Sequence, residues 1–207
     1  MRDFAKSVFI NCPFDDGYVP LLRVLAFTLL SFGLKPRLAL DDTNSVELRM
    51  AKILKLIEGC KYGIHDLSRC QATEAGEFFR LNMPFELGID FACRKYMPGK
   101  SSKHILVLEN AQYSVQKALS DFAGYDSVAH GNDALTLMKG LRRWMTPHLK
   151  LPLPAPQRLL AAFQDFMADL DAEIKRVGYC SEDIECFPIE ETIAYMTEWL
   201  IKRAEVQ

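Results

Sequence analysis

The sequence predicts an α/β domain, a parallel sheet of about five strands flanked by helices, followed by a C-terminal two-helix extension. Three observations carry this prediction. Short β-rich runs alternate with longer helix-like runs along most of the 207 residues, the signature of right-handed βαβ crossovers. Two of the short runs, Ser7–Cys12 (SVFINC) and His104–Glu109 (HILVLE), are apolar enough for strands covered on both faces. Beyond residue 146 the composition turns to proline and then to two amphipathic helical patterns.

The first strand stops at Pro13, and PFDDG reads as a loop. Tyr18–Phe32 is apolar almost throughout and too long for a strand. It reads as a mostly buried helix with Pro20 in its first turn and Gly33 at its end. Lys35–Leu40 is the second strand and Asp41–Asn44 an acidic turn. Ser45 is the expected N-cap of a helix over Val46–Gly59, with an apolar stripe of Leu48, Ala51, Ile53, Leu54 and Ile57. Tyr62–Leu67 (YGIHDL) is the third strand, and residues 68–81 read mostly as loop. Pro84–Tyr96 is a helix facing inward through Leu87, Phe91 and Ala92. After the fourth strand, His104–Glu109, come a short helix over Tyr113–Phe122 and a small strand, Asp126–Ala129. An amphipathic helix over Asp133–Met145 follows, with Leu135, Met138, Leu141 and Met145 on its face. The boundaries are then an α/β domain over 1–146, a stiff proline-rich connector over 147–157 and a helical extension over 158–207. The extension's helices cover Arg158–Val177 and Ile189–Arg203. Their aromatic residues Phe163, Phe166, Tyr195 and Trp199 either dock on the domain or join copies of the chain.

With 49% apolar and 25% charged residues the composition is that of an ordinary globular protein, and the net charge of −2 carries no basic excess for nucleic acid. No stretch approaches the roughly 20 apolar residues of a membrane span, so no membrane partner is expected. The N-terminal apolar run is too short for a secretory signal. Six scattered cysteines without a CxxC pair read as buried thiols, and the expected location is the cytoplasm.

In a parallel sheet of this kind ligands sit beyond the carboxyl ends of the strands. Four such ends carry acids: Asp15 and Asp16, Asp41 and Asp42, Asp66, and Glu109. Each is also a common turn or cap residue. Neither GxGxxG nor GxxxxGK[ST] is present, and the four histidines are far apart, so neither ordinary dinucleotide or P-loop binding nor a metal is expected. The most informative stretch is NMPFELGIDFA, Asn82–Ala92. Glu86 falls in the first turn of a helix opened by Pro84, where free N–H groups favour an ionised carboxylate. Asp90 lies four residues on, on the same helical face. With Met83 as N-cap, Glu86 would instead serve in a capping box. Tyr18 is placed to stack on a base or simply to pack. Arg69, Arg80 and Arg94 are candidates for phosphate contact or for surface ion pairs. His65 and Asp66 point to opposite faces of their strand, and Asp66 is the better choice for the pocket, with His65 packed against a covering helix.

The order SVFINCPFDD, IHDLSR, MPFELGIDFACRK resembles the nucleoside 2-deoxyribosyltransferase-like and TIR-like superfamily, including short uncharacterised bacterial members. The resemblance covers about residues 7–145 and implies a flavodoxin-like or TIR-like sheet. It implies a catalytic carboxylate at Glu86 in the run Phe85-Glu86-Leu87-Gly88, and a sugar- or base-contacting group at Asp66. A pocket lined by Asn11, Pro13, Phe14 and Asp15 is implied as well, and Tyr18, Asn82 and Asp90 complete the expected substrate contacts. The implied activity is cleavage of an N-glycosidic bond in NAD or a nucleoside or nucleotide. No cofactor is implied, and NAD enters only as a substrate. The loop PFDDGY departs from the small-residue loop of many transferases, which favours hydrolysis over transfer between bases. A homo-oligomer and a role in bacterial antiviral defence follow from the same likeness. The alternative is a nucleotide-binding or oligomerising signalling module without chemistry.

Overall fold

The computed structural model describes residues 3–39, 48–69, 72, 81–180 and 187–205. Five parallel strands form one sheet in the order β2-β1-β3-β4-β5: β1 (Ser7–Asn11), β2 (Lys35–Leu38), β3 (Tyr62–Asp66), β4 (His104–Glu109) and β5 (Ser127–Ala129). The α/β architecture expected from the sequence is present, with the strand order of flavodoxin-like folds. Asp41–Asn44, Ser45 as a helix cap and most of residues 68–80 lie outside the described residues.

Alternation along the strands builds two cores. Val8, Ile10, Tyr62, Ile64, Leu106 and Leu108 face α1 (Val19–Ser31) and α5 (Ala134–Leu149). Phe9 and Val107 point the other way, toward α2 (Arg49–Gly59) and α3 (Asn82–Tyr96). The short α4 (Ser114–Ala118) sits on that second side, where Val115 packs near Val107. Gly33, at φ +74°, closes α1: the Leu34 N–H reaches Leu29 O and the Gly33 N–H reaches Leu30 O, which ends the helix as the sequence indicated.

α1 is apolar on most of its surface because it is covered twice. Its Leu22, Leu25 and Leu29 lie on the sheet, while Phe27 meets α6 (Pro156–Arg176) and α7 (Ile189–Glu205). Phe27 has ring centroids of Phe163, Phe166 and Trp199 at 5.4, 5.7 and 6.0 Å. Among the described residues, the extension's aromatic face is therefore docked on the domain of its own chain.

Both boundaries of the connector differ from the sequence reading. α5 runs on through Pro147 to Leu149, and α6 starts at Pro156, so the connector is shorter than 147–157. It is also fastened: Leu153 is buried, and Arg142 donates to the carbonyls of Leu153 and Pro154. In α3 the inward residues are Met83, Glu86, Leu87, Asp90 and Cys93, whereas Ala92 is exposed and Phe91 half-buried. Two acids on the buried stripe disguised its register. No helix among the described residues is long and apolar enough to cross a membrane.

Candidate functional site

Beyond the carboxyl end of β1 opens a cavity of about 370 Å³, between the first loop and the starts of α2 and α3. This is within the roughly 300–1,000 Å³ range of small-molecule sites, at its lower end. Of the expected residues, Asn11, Pro13, Phe14, Asn82 and Glu86 line it. Arg49, in the first turn of α2, and Cys12 line it too; neither was singled out in the sequence. Arg49 carried one usable signal, since a cation opens the helix that follows a strand-end loop.

Glu86 does not sit where a cap would. α3 begins at Asn82 with Leu81 before it, so Glu86 is the fifth helical residue, beyond the first turn, and no side chain caps the helix. The capping-box reading with Met83 as N-cap is thereby removed. Glu86 is only 7% exposed, and no hydrogen bond or ion pair reaches its carboxylate among the described residues. Burial pushes its pKa up from 4.5 to about 7, against the opposing pull of the Arg49 charge. Such an acid exchanges its proton at neutral pH, and its anion is poorly compensated until a positive charge arrives.

The other expected residues lie elsewhere. Asp66 and Glu86 do not share a cavity: Asp66 is fully buried on the α1–α5 face, the side of the sheet away from α3. It accepts from Tyr18 Oη at 2.6 Å and from the Ser68 N–H at 2.8 Å, and His130 Nε2 stands 3.1 Å away. Burial alone would raise its pKa, but these three partners outweigh burial and hold it below the usual carboxylate value. A carboxylate so engaged holds the fold together and has no route to a ligand. Tyr18 is likewise sealed, its pKa raised well above the ordinary value by burial and by Asp66, so it does not stack on a base. Asp15 pairs with Arg69 at 3.1 Å, outside the lining. Asp90 is fully buried beneath the cavity, beside His65, which does pack against α3.

Glu109, the fourth strand-end acid, is structural. It accepts from the Tyr113 and Val115 N–H groups and from Ser114 and Ser127, and so anchors α4. Arg94 is exposed at the far end of α3, and Arg80 lies outside the described residues. Cys12 is no nucleophile: burial first, then Asp66, keeps its thiol protonated. Cys60 and Cys93 are also buried, whereas Cys180 is exposed. Among the described residues no group of three or more His, Cys, Asp or Glu could hold a metal ion. No protein-family model matches this chain, and no curated protein matches it either, so the site is read from its own chemistry.

Proposed function

We propose that this protein hydrolyses an N-glycosidic bond in NAD or a nucleoside or nucleotide, with Glu86 facing the ribosyl C1. The observation that carries the reading is one buried, unpaired carboxylate in a cavity of ligand size. As the C1–N bond breaks, its electron pair leaves with the base and positive charge builds on the sugar. A desolvated anion beside C1 stabilises positive charge on the sugar more than it stabilises the ground state, in which the sugar is uncharged and a nicotinamide ring holds the positive charge itself; that difference is the condition for catalysis. Water then adds at C1 and gives up its proton to solvent, completing hydrolysis; if the carboxylate attacks first, water displaces it afterwards.

The surroundings favour nicotinamide as leaving group. A departing purine or pyrimidine needs a proton. His65 and Asp66, which could donate one from the end of β3, are both sealed from the cavity. Nicotinamide leaves as a neutral ring and needs none. The exposed Arg49 at the cavity is suited to a phosphate of the same ligand. A part in bacterial antiviral defence belongs to this proposal on the resemblance alone, and residence in the cytoplasm on the scattered cysteines without a CxxC pair. Self-association also belongs to it, and the exposed Leu48, Phe85 and Tyr96 on the α2–α3 side supply apolar surface for it.

The test is to incubate the protein with NAD, nicotinamide riboside and nucleosides and to measure the free base. Release by the wild type and its loss in Glu86→Gln is the expected result. No release from any of them refutes hydrolysis, and tight binding of intact ligand unaffected by Glu86→Gln identifies a binding module instead.

A further inference from the structure

Beneath the cavity runs a line of buried polar side chains that the proposed bond cleavage does not use: Lys103, Asp90, His65 and Asn11. Their hydrogen bonds fix the direction of each one. Asn11 Nδ2 lies 3.0 Å from Met83 O and 3.0 Å from His65 Nδ1. A carbonyl can only accept, so the atom facing Met83 is the amide NH2 and not its oxygen. The second N–H of that group then points at His65 Nδ1, which accepts and carries no proton. The ring proton sits on Nε2, 3.1 Å from Asp90 Oδ2. Asp90 is held in turn by Lys103, whose Nζ stands 3.1 Å from Oδ1 and also donates to Ile57 O at 2.7 Å and to Cys60 O. Gly63 makes room for the line: a Cβ there would lie 2.0 Å from Asp90 Oδ2.

Both amide protons of Asn11 are thus turned inward. Only its Oδ1 is left, and Asn11 lines the cavity. Nothing among the described residues donates to that oxygen, and it is not among the sealed polar atoms. Turning the amide over would set its oxygen against Met83 O and leave two buried acceptors facing each other.

We propose that Asn11 Oδ1 is a fixed hydroxyl-accepting point of the cavity, oriented by Lys103, Asp90 and His65, which selects ligands that present a ribose hydroxyl there. Phosphate and carboxylate oxygens are refused at this point because they bring a second acceptor, and a deoxy sugar leaves the oxygen unpaired. Asn11 touches the ligand; His65, Asp90 and Lys103 are positioning residues. The sugar identity rests on the glycosidase reading, whereas the direction of the amide does not.

Two measurements test this. In nitrogen-15 spectra of the imidazole, assigned through contacts with the neighbouring Phe9 ring, His65 shows a proton on Nε2 and a bare Nδ1. A proton on Nδ1 overturns the proposal. In calorimetric titrations, the Glu86→Gln protein receives nicotinamide riboside and adenosine, each beside its 2′-deoxy and 3′-deoxy analogues. Loss of the recognised hydroxyl weakens binding roughly tenfold, and Asn11→Ala abolishes that preference. His65→Gln, whose side-chain oxygen still accepts from Asn11, retains the preference, and His65→Leu loses it. Equal binding of hydroxylated and deoxy ligands, or no binding of either family, overturns the proposal whatever the outcome of the hydrolysis assay. Hydroxyl-dependent and Asn11-dependent binding without base release by the wild type refutes hydrolysis and leaves this inference standing.

Discussion

Glu86→Gln is expected to make the protein more stable at alkaline pH. In the unfolded chain Glu86 ionises near its ordinary 4.5, while burial in the fold delays ionisation to about 7. Between those values the folded state binds more protons than the unfolded state, so stability falls as pH rises through that window. Below the window both states are protonated and the group contributes no slope. Above it the cost has reached its ceiling. A displacement of about 2.5 pH units, which already includes the pull of Arg49, corresponds to about 3 kcal/mol for a sealed carboxylate, and solvent entering through the opening of the cavity reduces this to about 1–2 kcal/mol. The variant's side-chain amide is neutral at every pH and escapes the cost. Urea unfolding of both proteins at intervals from about pH 4.5 to pH 8.5 measures it directly. The free-energy difference should turn in favour of the variant across the window and then level off. Parallel curves would show that Glu86 ionises freely in the folded protein, and the argument for an uncompensated carboxylate would fail.

Gly63→Ala places a methyl 2.0 Å from Asp90 Oδ2 and forces the carboxylate off its Lys103 and His65 partners. A loss of about 3 kcal/mol or more is expected in denaturant unfolding, and a loss below about 1 kcal/mol would show that the line of side chains has slack. Phe27→Ala empties the centre of the aromatic cluster joining α1 to α6 and α7 and should cost about 3–5 kcal/mol, while binding at the distant cavity stays unchanged. His104 stacks on His148 at 3.8 Å, and burial, then the His148 charge, lowers its pKa to about 4. The unfolded chain takes up that proton near 6.5, so this contribution to stability is lost as pH falls from there toward 4; His148→Phe should lessen the loss, and an unchanged acid transition would contradict it.

The sequence was clear where a residue's neighbours on the chain decide its state. SVFIN and HILVLE had to be central strands, and Gly33 had to stop a helix, because local backbone and alternation suffice for both. Even α1's unusual apolarity was a sign of a second cover. What could not be read was the parity of the sheet. His65 and Asp66 point to opposite faces, but only the fold reveals that the cavity opens on the side of α2 and α3. Asp66 thus became a structural anchor, and His65 came to lie under the site through Asn11. Helix α3 hid its register for a related reason: Glu86 and Asp90 occupy buried positions that an apolar pattern would have assigned to Leu, so Phe91 and Ala92 looked like the inward pair.

The two sides of the sheet are built to different depths. On one, α1 is itself roofed by α6 and α7; on the other, among the described residues, α2 and α3 form a single layer over the strands. The chain that follows the five-stranded unit therefore reinforces the side of the sheet away from the cavity. Substitutions at the starts of α2 and α3 therefore act on the cavity directly, while the doubly covered half goes on specifying the fold.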